Sequence, residues 1–204
     1  MSEDREIIIT PYARLSFPRL AEAHAFKSGD SEKFSCSLLF PKVENAKKDR
    51  EDGNPFSPWG DPSKHDLSHL EQVIENYVND TWPAKKRPSK LKLPFKDGDE
   101  EKWDGYAGHI FIRVSTTRAP KLFDTRRNEI TGEDIKKVFY AGAWVRAIVN
   151  PFDYNESGNI GVSFGLQGLQ FIRDDKEFTG GVTAESFDDL PDSDLAPDDL
   201  DDLD

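Results

Sequence analysis

Apolar and polar side chains alternate with a period of two in several segments of this 204-residue chain, and no other feature restricts the fold as much. Such a period sends successive side chains to opposite faces of a strand, so one face can enter a core while the other meets solvent or a ligand. Lys33 to Phe40 places Phe34, Cys36, Leu38 and Phe40 on one face. In Gly108 to Thr117, Ile110, Ile112 and Val114 oppose Phe111, Arg113 and Ser115. Val138 to Val149 puts Ala141, Ala143, Val145, Ala147 and Val149 inward, with Tyr140, Trp144 and Arg146 outward. A shift of one residue in register would exchange those faces and make Trp144 a core residue. Ile160 to Arg173 alternates through Ile160, Val162, Phe164 and Leu166, then meets Gly165 and Gly168, which predict a bulge or a barrel corner. Glu6 to Leu20 adds a strand bent or held at an edge by Pro11 and Pro18. Five such strands predict a mainly β fold, a small barrel or sandwich.

One helix interrupts them. Leu67, Leu70, Val73, Ile74, Tyr77 and Val78 recur at helical spacing, Asp66 or Ser68 can cap the start, and Pro83 follows the end near Asp80. This stripe predicts core packing. Thr131 to Lys137 predicts a short helical turn. The polar stretch Glu44 to Lys64, with Pro55, Pro58 and Pro62, reads as a long loop.

Charge divides the chain in two. Ten of its 39 acidic residues lie between Glu185 and Asp204, a segment with no Lys or Arg, so the remainder sets 29 acids against 27 bases and is nearly neutral. Residues 1–184 therefore read as one domain and residues 185–204 as a disordered acidic interaction tail. Its Phe187, Leu190, Leu195 and Leu200 favour contact with a partner, because a purely solvating tail needs no apolar residues. The longest uncharged run, Ser157 to Ile172, is too short and too rich in glycine to cross a bilayer, and MSEDREIII has no basic region leading a long apolar stretch. The lone cysteine, Cys36, suits a reducing compartment and a place in the core.

Two basic segments break the neutrality of the domain. Lys85, Lys86, Arg87, Lys90, Lys92 and Lys96 contain no acid between them, with Trp82 before the first and Phe95 beside the last. Arg113, Arg118, Lys121, Arg126 and Arg127 surround a single Asp124, with Phe111 just before them and Phe123 among them. Cations that follow phosphates and aromatic faces on which bases stack are what single-stranded nucleic acid requires of a binding surface. The outward Tyr140, Trp144 and Arg146 extend this candidate interface.

Catalytic and metal motifs are weak. His65 and His69 stand four apart, but HDLSH lacks the glutamate of a metalloprotease helix. The chain has no phosphate-binding loop, nucleophile elbow or paired-cysteine zinc pattern, so neither cofactor nor metal is expected. A small metal-dependent nucleic-acid-processing enzyme and an assembly protein whose tail mimics DNA are the alternatives to a binding protein.

YAGAWVRAIVNPFDYNESGNIGVSFGLQGLQFIRDDKEF (Tyr140 to Phe178), supported by GYAGHIFIRVSTTRAPKLFD (Gly105 to Asp124), resembles the single-stranded DNA-binding proteins of tailed bacteriophages, over most of residues 5–178. The resemblance implies a five-stranded OB-fold-like barrel with an inserted helix and little sequence preference. It also implies a role in phage DNA replication, recombination or repair in the cytoplasm of an infected bacterial host. The acidic tail looks like those that recruit replication or recombination proteins, although it ends in Asp204 rather than an aromatic residue. No membrane partner is implied, and a homo-oligomer is left open.

Overall fold

The computed structural model describes residues 7–25, 29, 31–42, 62–156 and 158–178. The expected loop at Glu44 to Lys64 falls largely, and the acidic tail wholly, outside the described residues. Strands β1 (Ile8–Ile9), β2 (Ala13–His24), β3 (Lys33–Pro41), β4 (Lys96–Asp97), β5 (His109–Thr116), β6 (Lys121–Phe123), β7 (Trp144–Glu156) and β8 (Asn159–Arg173) form one sheet, and helices α1 (Ser68–Thr81) and α2 (Asp134–Val138) lie between them. β2 pairs with β3, β3 with β5, β5 with β8, β8 with β7, and β7 returns to β2. That order closes a five-strand ring, antiparallel except for β5 against β8, and makes the fold mainly β and OB-like. The ring is uneven: β7 and β8 pair along their whole lengths, whereas β2 meets β7 at only Ala13↔Val145 and Arg14↔Trp144.

The inward faces are those the alternation predicts. Leu15, Leu38, Phe40, Ile112, Val114, Val145 and Phe164 fill the ring, and α1 adds Leu70, Ile74 and Val78. Asp66 Oδ1 accepts hydrogen bonds from Ser68 N and Oγ at the helix start, which holds its carboxyl below the usual carboxylate range. Cys36 is buried, and desolvation pushes its thiol pKa up.

Two boundaries differ from the alternation. The strand expected over Val138 to Val149 starts only at Trp144, because the chain turns at Gly142 with φ of 108°, where a Cβ would collide with the Lys176 carbonyl oxygen. It also continues past Pro151, which pairs with Phe164. β1 ends its pairing at Val149, so among the described residues β7 has an open edge there, where a residue without an N–H is tolerated. The expected interruption of β8 is present: Ile148 pairs with Gly168 and Val149 with Leu166, leaving Gln167 as the extra residue of a bulge. Gly168 is required for a second reason, since a Cβ there would lie 2.7 Å from the carbonyl oxygen of Lys121 on β6.

Candidate nucleic-acid interface

The outer face of β2, β3 and β5 carries an open groove of about 550 Å³ lined by Phe17, Arg19, Ser35, Ser37, Trp103, Arg113, Ser115 and Ser163. Cross-strand register builds its floor. Ser16 sits opposite Ser37, Ser37 opposite Arg113, and Ser35 opposite Ser115, so small hydroxyl side chains form rows with an arginine among them. Two aromatic rings rise above it. Phe17 is 53% and Trp103 41% exposed, unusual for residues of this size, and their rings meet edge to face with centroids 5.5 Å apart. Phe17 reaches this position from a left-handed backbone, φ 46°, where the pairing of β2 with β3 shifts register between Ser16 and Arg19. Such strain in a non-glycine residue persists only where surrounding packing imposes it.

Packing beneath fixes the platform. Tyr106, Phe111 and Leu39 form a second, fully buried cluster outside the ring, with Phe178 against it. Trp103 packs edge to face with Tyr106 at 5.1 Å between centroids, and Tyr106 with Phe111 in the same way at 4.9 Å. The Arg113 guanidinium lies 5.4 Å from the Trp103 ring centroid and 5.8 Å from that of Phe111. An exposed arginine held over aromatic faces keeps its charge available to a phosphate while the ring edge remains open to a base. The loop bearing Trp103 is anchored by Lys42, whose Nζ donates to Asp97 Oδ1 at 2.7 Å and Asp99 Oδ2 at 2.6 Å. Gly108 N donates to Asp99 Oδ1 at 2.6 Å. These bonds hold both carboxyls below their ordinary range, for Asp97 chiefly through Lys42 and for Asp99 chiefly through Gly108.

The structure spreads the cationic residues singled out from the sequence over five places. Arg113 alone belongs to the platform itself. Lys85, Lys86, Arg87, Lys90 and Lys92 are exposed along the strap that follows α1. Arg87 donates to Asn79, and Lys92 bridges to Gly161 of β8 in parallel while its Nζ donates to Asn159. Gly161 is two residues from Ser163 at the groove, so the strap ends beside the platform. Arg126, Arg127 and Arg146 lie elsewhere. The exposed Arg126 and Arg127 occupy the turn closed by Asp124 and Asn128, and Arg146 lies on the outer face of β7 with its Nε donating to Gln170. Arg118 is exposed in the loop after β5. Phe187, Leu190, Leu195 and Leu200 lie outside the described residues.

Two aromatic assignments are corrected. Phe111 does point outward, but Tyr106 covers it and leaves it 0% exposed. Trp144 also lies outside the ring and yet is 1% exposed. Arg14 and Arg173 lie over its ring at 5.7 and 5.8 Å, His65 packs at 5.4 Å, and its Nε1 donates to Asp175 Oδ2 at 2.6 Å. Tyr140 is held by the same segment, its OH within 3.1 Å of Asp174 Oδ1 and accepting from Asp175 N at 3.0 Å. Trp144 thus braces the end of the ring and, like Phe111, offers no stacking face, whereas Tyr140 is half-buried and is held there by its hydroxyl. His65 shares that packing, whereas His69 is exposed, so the pair is not aimed at a common ion. Among the described residues no group of three or more His, Cys, Asp or Glu is placed to hold a metal.

Phe17, Arg19 and Trp103 were missed by the alternation. A signal existed for Trp103: it stands in DGDEEKWDG, where no core periodicity explains a tryptophan.

Comparison with known proteins agrees with this architecture. The solved single-stranded DNA-binding protein from bacteriophage Enc34, in complex with ssDNA, superposes with a TM-score of 0.60 at 20% identity, covering 84% of this chain and 89% of that one. Its C-terminal truncation gives 0.61 at 20% identity, covering 84% and 88%. At that identity the likeness speaks for the fold. Sequence carries more: a protein of Acyrthosiphon pisum secondary endosymbiont phage 1, named putative protein p50, is 30% identical over 190 residues, 87% of this chain and 90% of its own length. Residues 61–200 match the profile of the family described as Enterobacter phage Enc34, ssDNA-binding protein. With its helix, third to fifth ring strands and most of the acidic tail inside that match, the chain belongs to the Enc34 family of phage ssDNA-binding proteins.

Proposed function

We propose that this chain binds single-stranded DNA without enzymatic turnover, coating exposed strands with little sequence preference. The platform of Phe17, Trp103 and Arg113 over a serine floor carries this reading. In an OB fold the face of the second and third ring strands receives oligonucleotides, and here those strands are β3 and β5. Bases stack on Phe17 and Trp103, Arg113 and Arg19 meet phosphates, and the strap from Lys85 to Lys92 extends the cationic path. Stacking suits every base because each has a π-face, and the hydroxyl floor accepts sugar and phosphate edges, so affinity arises without sequence readout. The family match supports this reading.

The same proposal places the protein in phage DNA replication, recombination or repair, in the cytoplasm of an infected bacterial cell, with the acidic tail recruiting proteins of those processes. Titration of tryptophan emission with single- and double-stranded oligonucleotides tests the binding step. Saturable quenching by single strands of any base composition, with at least tenfold weaker response to duplex, is expected. Equal affinity for duplex, or cleavage of the strand in magnesium, would overturn it.

A further inference from the structure

A second groove, sharing no lining residue with the platform, lies across β1, β7, β8 and β6, with a volume of about 500 Å³. Two cross-strand rows build it. Ile9 pairs with Ile148, Ile148 with Gly168, and Gly168 with Lys121, so the missing side chain of Gly168 leaves a trough between an apolar and a cationic wall. In the next row Arg146 pairs with Gln170 and Gln170 with Phe123. Ile9 is 43% and Ile148 37% exposed, which makes an apolar floor open to solvent. Arg127, Arg146 and Lys121 rim it; Lys121 is engaged by Glu129, and Arg146 uses its Nε on Gln170.

An apolar trough with a cationic rim fits a ligand in which aliphatic and anionic side chains alternate. This chain contains one. Asp-Asp-Leu recurs at 188–190, 198–200 and 201–203, with Leu195 between them. A nucleic acid strand would satisfy the rim but not the exposed isoleucines, which present no partner for a phosphate or ribose. Reach is sufficient as well. Phe178 N donates to the carbonyl of Ala141, and Arg146 is five residues farther along the chain, a span of at most roughly 17 Å. The nine residues from Phe178 to Phe187 extend to about 30 Å.

We propose that the groove across β1, β7, β8 and β6 is an intramolecular dock for the chain's own residues 187–203. Leu190, Leu195 and Leu200 lie against Ile9, Ile148 and Phe123, and the intervening aspartates face Arg127 and Arg146. The tether raises the local concentration of the segment to the millimolar range, so individually weak contacts suffice. The dock is separate from the stacking platform and does not depend on it.

Thiol accessibility in the full-length chain tests the proposal. Ile148→Cys places a reporter in the groove, Ile9→Cys a second one on the neighbouring strand, and Ser115→Cys a control on the platform; the native Cys36 is 4% exposed. Each is paired with a full-length partner in which Leu190, Leu195, Leu200 and Leu203 are replaced by serine. Maleimide labelling of both groove reporters is expected to be at least fivefold slower with the native segment than with the serine one, independent of protein concentration, and unchanged at Ser115→Cys. Equal rates in the groove would overturn the dock. So would protection by the native segment at Ser115→Cys alone, which would put the segment on the platform, or protection that grows with protein concentration, which would assign it to a second copy. Protection of the groove reporters by oligothymidylate in the serine-substituted chain would overturn it in favour of a nucleic-acid path. Protection of Ser115→Cys by the same oligonucleotide reports on the stacking platform independently.

Discussion

The indole Nε1 of Trp144 donates to Asp175 Oδ2 at 2.6 Å, tying the first residue of β7 to the segment that leaves β8. Arg14 joins the pair from β2: its Nη1 lies 3.4 Å from Asp175 Oδ2, its Nε donates to the Gly142 carbonyl at 2.6 Å, and Nη2 to that of Lys176 at 2.5 Å. Burial draws the Arg14 guanidinium below its ordinary pKa, and the Asp175 carboxylate opposes that shift. An arginine, a tryptophan and an aspartate thus lock the ends of three ring strands together.

Trp144→Ala is therefore a stability variant. Large-to-small replacement of a fully buried aromatic costs about 3 to 5 kcal/mol, and the loss is expected in urea denaturation. At a temperature where the variant is folded, its affinity for single-stranded DNA should stay within about threefold of the parent. A stable variant with lost binding would return Trp144 to the interface.

Trp103→Ala should show the reverse pattern. A stacked base is worth about 1 to 3 kcal/mol, so affinity should fall by about 5- to 150-fold with little change in Tm, because the ring is 41% exposed. DNA-induced quenching of tryptophan emission should largely disappear. Phe17→Ala should behave similarly in affinity.

Salt dependence measures the cationic path. Each phosphate neutralised on a single strand contributes about −0.7 to the slope of log affinity against log salt, so four to six contacts give roughly −3 to −4. Arg113→Gln should make the slope shallower by about 0.7, read from titrations at several salt concentrations. An affinity flat in salt would exclude the path.

His109 sets an acid limit. Burial is the main cause that lowers its imidazole pKa from 6.5 to about 4. The folded chain thus keeps a neutral ring where the unfolded chain takes up a proton. Its contribution is fully present above pH 6.5, falls as the pH drops, and is gone below about 4. The loss is on the order of 3 kcal/mol over that window. Denaturation midpoints between pH 7 and 4 should show it, and His109→Gln should flatten the profile.

Much of the fold was legible because the ring strands are amphipathic and a period of two states which face is buried. Ile112 and Val114 against Arg113, and the Gly168 bulge, could be read directly. The site was less legible, because exposure on the outer face depends on what later segments cover. Trp144 and Arg146 have the same sequence alternation, yet residues 14, 65, 173 and 175 close over the first and not the second. Phe111 and Arg113 differ in the same way, through Tyr106. Phe17 was hidden for another reason: its exposure follows from a left-handed backbone beside a register shift, which periodicity does not encode.

The short seam between β2 and β7 is expected to close late in assembly. Arg14 and Gly142 are 128 residues apart, whereas Glu156 and Asn159 close the β7–β8 hairpin across a local turn. Loop-closure entropy favours the hairpin early and leaves the seam until the rest of the ring has shortened the effective loop. Contacts absent from the folding transition state govern how slowly a native protein opens. Weakening the Arg14, Trp144 and Asp175 lock is therefore expected to speed unfolding and shorten the lifetime of the closed ring, with the rate of refolding nearly unchanged.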